Sequence, residues 1–202
     1  MPNSDLSPLY NHYSYVVTPP TLHAVTVDQV RIRLRIDDAE TDDEITQFIA
    51  GAERWWEGAT GTALMSQTTE TLFSRFPKSE YISLKQSPVQ SVSSIHYRNA
   101  EGTVVEWDSD KYHADTVANI VFSLDMTWPE TSTLPYPDMV RIRMIAGYED
   151  ADSVHDDIKQ ALLLHIGYRY RFRESGSEAI VRPVAYSMEN IALRYRRTWL
   201  NL

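Results

Sequence analysis

Thr26 followed by Gln29 has the form of a capping box, and Val27, Val30 and Leu34 recur at helical spacing, so a helix is predicted over Val27 to Ile36. A second box, Thr41 with Glu44, opens a stronger helix. There Ile45, Phe48, Ile49, Ala52, Trp56 and Ala59 form one apolar stripe, and Gly61 suits the stop. The two helices read as a hairpin joined by the acidic turn Asp37 to Asp43.

From about Leu64 to Ile145 the apolar period falls from near 3.6 to 2. Short strands are predicted at Thr69 to Phe73, Tyr81 to Leu84, Ser93 to Arg98, Thr103 to Trp107, Lys111 to Ala114 and Asn119 to Ser123. Asn99-Ala100-Glu101-Gly102 supplies a hairpin turn. Val140, Ile142 and Met144 alternate with Arg141 and Arg143, the mark of a strand with one wet face. Met126 to Asp138, with Pro129, Pro135 and Pro137, reads as a long loop.

Beyond the Gly147-Tyr148 turn, Ser153 is placed to cap a helix running to about Phe172. Its consecutive Leu162, Leu163 and Leu164 require protein on more than one side. Glu174 to Glu178 is a loop, and a last helix after Pro183 carries Met188, Ile191, Ala192, Tyr195 and Trp199 on one stripe. The expected fold class is α+β: a helical bundle unit of two N-terminal and two C-terminal helices (21–63 and 151–202) with an inserted antiparallel β-rich region (64–150). Residues 1–20, rich in Tyr, Ser, Asn and Pro, read as an extended arm, either lying on a neighbour or loose as chain ends often are.

Composition narrows the function. The chain has 202 residues and no cysteine, which excludes a disulfide framework, a thiolate zinc site and a cysteine nucleophile. A net charge of −9 argues against a general nucleic-acid coat protein. The charge is polarised: from His165 onward seven Arg oppose three Glu, a net of +4, which leaves −13 on the rest. Such a chain can meet a copy of itself, acidic part to basic part. No signal peptide or membrane span is visible, and a cytosolic site of synthesis is expected.

Candidate chemistry is sparse. The acidic run Asp37, Asp38, Glu40, Asp42, Asp43, Glu44 lacks the Gly and Glu of a calcium loop in either register and reads as a solvated turn before a helix. His12, His23, His96, His113, His155 and His165 include no i, i+4 pair, so no helical metal site is predicted. His155 reads as part of a helix start, and His165 as a hydrogen-bonded core histidine. No phosphate loop, dinucleotide fingerprint or nucleophile elbow occurs. A carboxylate pair brought together by folding would make a hydrolase-like reading, with nothing in the sequence to select the pair.

Arginine carries the one functional pull. Arg169, Arg171 and Arg173 close the third helix, where they favour its dipole as well as any DNA contact. Arg194, Tyr195, Arg196, Arg197, Trp199 and Leu200 form a terminal amphipathic segment with an aromatic anchor and flanking Arg, suited to docking. The alternative is that its stripe covers the protein's own core. A nucleic-acid-binding module using the Arg-rich C-terminal helices is the runner-up function.

The order of these features resembles the head-tail connector (adaptor, or head-completion) proteins of tailed bacteriophages. The resemblance runs through Tyr15-Val-Val-Thr-Pro-Pro-Thr-Leu22, the helix ending Leu34-Arg-Ile-Asp37 and Ala52-Glu-Arg-Trp-Trp-Glu57 with Thr60-Gly61. It continues through Ser87-Pro-Val-Gln-Ser-Val92, Trp128-Pro129, Val140 to Tyr148, Ile158 to Leu164 and Ile191 to Arg197. Two departures stand out: His155 where a proline is common, and a first 14 residues without counterpart.

The resemblance implies a non-enzymatic virion component at the capsid vertex, made in the host cytoplasm and free of cofactors. It implies a homo-oligomeric ring, usually dodecameric, beneath the portal protein. That ring completes the head, extends the channel through which packaged DNA passes, and meets a downstream connector or tail protein. By the same resemblance, Arg194, Tyr195, Arg196, Arg197, Trp199 and Leu200 are the expected portal-docking site.

Overall fold

The capping box forms as the residues dictate. In this computed structural model, which describes residues 12–36, 42–84, 86–172 and 182–196, the Gln29 amide donates to Thr26 Oγ1 at 3.2 Å and the Thr26 amide to Gln29 Oε1 at 2.9 Å. Helix α1 runs Val27–Leu34 and stops two residues before the expected Ile36, because Arg35 turns left-handed at φ 57° and its N–H closes on the Arg31 carbonyl. Helix α2 runs Asp42–Thr60 and buries Ile45, Ile49, Ala52 and Trp56 along its stripe. Gly61 follows at φ 72°, its N–H bound to the Glu57 carbonyl. Thr41, half of the second expected box, lies outside the described residues.

The described residues form eight strands: β1 His12–Thr18, β2 Gln67–Phe73, β3 Tyr81–Ser83, β4 Val89–Arg98, β5 Val104–Glu106, β6 Tyr112–Asp115, β7 Ile120–Ser123 and β8 Val140–Ala146. Helices α3, Asp156–Arg171, and α4, Arg182–Tyr195, complete the described elements, so the class is α+β. The chain divides into two compact units. One holds Met1–Pro19 with Gln67–Ala146, the other Pro20–Ser66 with Gly147–Leu202.

In the β unit, five strands pair antiparallel in the order β1-β2-β8-β4-β5 and three more in the order β3-β7-β6. Phe73, Thr71 and Thr69 of β2 face Val140, Ile142 and Met144 of β8 in register, and all six are buried. The Val140, Ile142 and Met144 side chains join Phe73, Ile82, Leu84, Ile95, Val121 and Met139 in one apolar cluster. The expected loop before β8 is pinned by Trp128. Its ring stacks on Phe76 at 5.1 Å and meets Trp107 at 5.7 Å, and its Nε1–H donates to the Ser79 carbonyl.

In the helical unit, Trp56, Ile45, Ile49, Leu64, Val154, Ile158, Ala161, Leu162, Ile166 and Ala192 lie in a separate apolar cluster. Residues 64–66 and 147–148 are laced by Tyr148 N–H to Leu64 O at 2.9 Å and Ser66 N–H to Tyr148 O at 2.8 Å. Gly147 sits at φ 107°, and a Cβ there would lie 2.2 Å from the Met65 carbonyl oxygen, so this crossing needs glycine.

Several expectations change. The expected arm contains a strand: His12–Thr18 is laid against β2 in the protein's own sheet. β4 begins at Val89, four residues before the expected Ser93, and accommodates the extra length with register shifts at Val89/Ser91 and Val92/Ser94. Ser153 does not cap α3; its amide donates to Asp150 Oδ1 at 2.7 Å, and the N-cap is His155 without a side-chain cap bond. Leu162 is buried, whereas Leu163 and Leu164 are only half-buried, so α3 is covered less completely than three consecutive leucines suggest. His165 lacks the expected hydrogen bond at Nδ1 among the described residues and instead stacks on Trp55 at 4.6 Å.

Candidate assembly interface

The inner stripe of α4 is used internally. Met188 and Ala192 are buried, and Ile191 and Tyr195 pack partly against the helical-unit cluster. Tyr195 sets its ring 5.5 Å from Trp56 and 6.0 Å from His155, while its hydroxyl donates to Asp157 Oδ1 at 2.7 Å. Burial and then the Asp157 carboxylate push that phenol up to about 12. Tyr195 therefore fixes the end of α4 against the first turn of α3.

The outer side of α4 differs. Arg194 reaches Asp157 Oδ2 at 3.3 Å but keeps most of its side chain in solvent, so the pair contributes ~0–1 kcal/mol. Arg196 is exposed, and Leu193 is 57% exposed beside them. The described part of the expected docking segment thus splits: Tyr195 points inward, and Arg194 and Arg196 remain available. Arg197, Trp199 and Leu200 lie outside the described residues. Leu193 was missed, since one leucine off the apolar stripe gives no periodic signal.

The third-helix arginines do not converge on a site. Arg169 and Arg171 are exposed, and the Arg171 guanidinium lies 5.9 Å from the Phe172 ring centre, while Arg173 is outside the described residues. Arg169 acts locally. Burial first, and then Arg169, push the His165 imidazole down to about 4, so it is neutral at pH 7.

The wet face of the β unit's larger sheet carries a charge network that the sequence did not announce. Glu70, 5% exposed, accepts from Arg143 Nε at 3.0 Å and Nη2 at 2.8 Å, and also from the Tyr15 hydroxyl. Burial pushes its carboxyl up, but these hydrogen bonds outweigh burial and hold it below the usual range. Asp138 accepts from Arg98 Nε at 3.2 Å and Nη2 at 2.8 Å, and from Arg141. Arg98 holds it down to about 2, against burial and with help from Arg141. Asp138 is held by two arginines, and Glu70 by Arg143 on one oxygen and Tyr15 on the other, so Glu70 ties β1, β2 and β8 together.

A shallow cavity of about 360 Å³ lies between α1 and α3, lined by Gln29, Ile32, Arg33, Asp156, Lys159, Gln160 and Leu163. Among the described residues no group of three or more His, Asp or Glu could hold a metal ion. No helix among them is long and apolar enough to cross a membrane.

Similar solved structures include chains of a gene transfer agent particle. The chain is similar to one in the virion of a native gene transfer agent particle, with TM-score 0.74, 21% identity, 93% of this chain and 96% of that one covered. It is similar to a chain in the neck of the empty particle computed with C6 symmetry, with TM-score 0.73, 19% identity, and coverage of 93% and 97%. A chain in the neck of the native particle computed with C12 symmetry gives TM-score 0.70, 20% identity, and coverage of 93% and 97%. No curated protein sequence matches at a significant level. The family model described as head completion protein matches residues 23–180, which spans α1 to beyond α3, and the chain belongs to the head completion protein family.

Proposed function

We propose that this chain is the head–tail adaptor of a tailed-phage-like virion, a structural protein of the neck that completes the filled head and joins it to the tail. The observation that carries the reading is the family match over residues 23–180, and likeness to neck chains across 93% of the sequence agrees with it. Copies form a ring, as expected of a part that fits a neck computed with C6 or C12 symmetry. In that ring the four helices act as a bundle-like connector unit, 21–63 with 151–202, and the β-rich region 64–150 is an insertion into it.

The ring sits beneath the portal protein and above a downstream connector or tail protein. Its net charge of −9 suits a channel wall, since duplex DNA slides past a repulsive surface and sticks to a basic one through counterion release. Arg194, Arg196, Arg197, Trp199 and Leu200 dock to the portal, and Tyr195 holds the helix end that presents them.

Two experiments test this. Cells producing particles without this chain should accumulate packaged heads with no tails attached, and purified full-length chain should restore joining. Normally joined, infectious particles without the chain would reject the role. Removing residues 184–202 should abolish binding to portal-bearing heads; undiminished binding would reject the docking assignment alone.

A further inference from the structure

We infer that the free edge of β1 is the surface through which one copy of this chain joins the next, by adding to the β5 edge of a second copy. The inference rests on the ring reading above and specifies its contact.

Among the described residues β1 is bonded to β2 on one side only, so with respect to them its outer edge presents unpaired backbone N–H and C=O groups. Natural edges are commonly guarded by lysine, proline or an inward charge, or are kept very short. His12–Thr18 has seven residues with no lysine or proline, the next proline being Pro19, and its one guard is the irregularity between Val16 and Thr18. It carries Tyr13 at 66%, Val16 at 46% and Val17 at 40% exposure instead. No described side chain of β1 belongs to either apolar cluster; what holds it is the backbone ladder with β2, together with side-chain bonds between Ser14 and Thr71 and from the Tyr15 hydroxyl to Glu70. A strand of aromatic and β-branched residues that its own unit leaves in solvent is built to be covered by another strand. The register shift between Val16 and Thr18 limits the continuous run to His12–Val16.

The occupant must be extended, uncharged where it touches Val16, and able to offer a free edge. β5 offers such an edge over Val104 and Val105, ahead of Glu106. It is the opposite edge of the same sheet, and it leads with Val104 and Val105, the former 38% exposed. Among the other described edges, β6 ends in Asp115 and packs against the 3₁₀ turn Ser109–Lys111. Symmetry points the same way. A contact between two β1 edges is isologous and stops at two copies, whereas β1 on β5 is heterologous, repeats, and closes into a ring. Four antiparallel steps separate β1 from β5, so both run in the same direction, and rotation about an axis along the strands makes a parallel junction.

The absence of cysteine allows a clean test. Full-length chain carrying Val16→Cys and Val104→Cys is assembled into particle necks, treated with a short bis-maleimide and run on a denaturing gel. A ladder of covalent multimers is expected, with neither single variant giving one. In parallel, Val16→Lys should reduce incorporation into necks about tenfold or more, roughly the effect of 1.4 kcal/mol per contact, while Val16→Thr incorporates normally. Necks that contain the ring but give no ladder, with normal incorporation of Val16→Lys, would overturn this contact and leave the ring reading standing. Covalent dimers from Val16→Cys alone would overturn it in favour of an isologous edge. Necks lacking the chain would overturn the ring reading itself. If Val16→Lys lowers the thermal midpoint of the free chain, the ladder decides.

Discussion

The two units handle titratable groups in opposite ways. The β unit buries Glu70 and half-buries Asp138, and arginine meets both, Arg143 the first and Arg98 with Arg141 the second. The helical unit stacks an imidazole, His165, against Trp55 with an arginine nearby to repel its charged form. Both units have an apolar cluster, but the β unit adds arginine–carboxylate pairs across its strands, whereas the helical unit packs a neutral imidazole against an aromatic ring.

The largest expected effect removes the apolar side of this contrast. Trp56→Ala should destabilise the helical unit by about 3–5 kcal/mol, since Trp56 is 1% exposed and central to its cluster. Hydrogen exchange followed by mass spectrometry should show the loss in α2 and α3 and far less in β2 and β8. Equal loss in both units would show that they unfold as one.

Acid should separate the units. His165 has a folded value near 4, below its ordinary 6.5, so its neutral form stabilises the fold fully above pH 6.5 and that contribution is lost as pH falls toward 4. Discounted for partial exposure, this amounts to about 1–2 kcal/mol in the helical unit, and His165→Gln should flatten it. Asp138 is depressed from 3.8 to about 2, so its contribution is complete above pH 4 and is lost as pH falls toward 2. That is about 1 kcal/mol in the β unit after solvent screening, and Asp138→Asn should remove the dependence. Unit-resolved exchange between pH 7 and 2 reads both windows; a single transition common to both units would contradict the separation.

The smallest effect is local. Thr26→Ala breaks the α1 capping box and should cost about 1 kcal/mol, while Thr26→Ser should cost little, as read from chemical denaturation.

What the sequence disclosed follows from the same contrast. The α2 stripe was legible because Ile45, Ile49, Ala52 and Trp56 repeat at the helical period against a single core. The strands were legible as elements, but their order was not. Nothing local says that β8 lies between β2 and β4, or that residues 12–18 add to β2, because pairing partners far apart in sequence are chosen by tertiary packing. The arginine-paired carboxylates were hidden for the same reason: Glu70 and Arg143 are 73 residues apart. The Arg-rich end was visible, but period alone could not separate Tyr195, which faces inward, from Arg194 and Arg196, which do not.

Electron cryomicroscopy of the intact particle neck tests the central claim most directly. The account predicts a closed ring of identical subunits between portal and tail, each with this α+β fold and with the α4 end directed toward the portal. Density at that level fitted by a different chain, with this one absent from the particle, would contradict it.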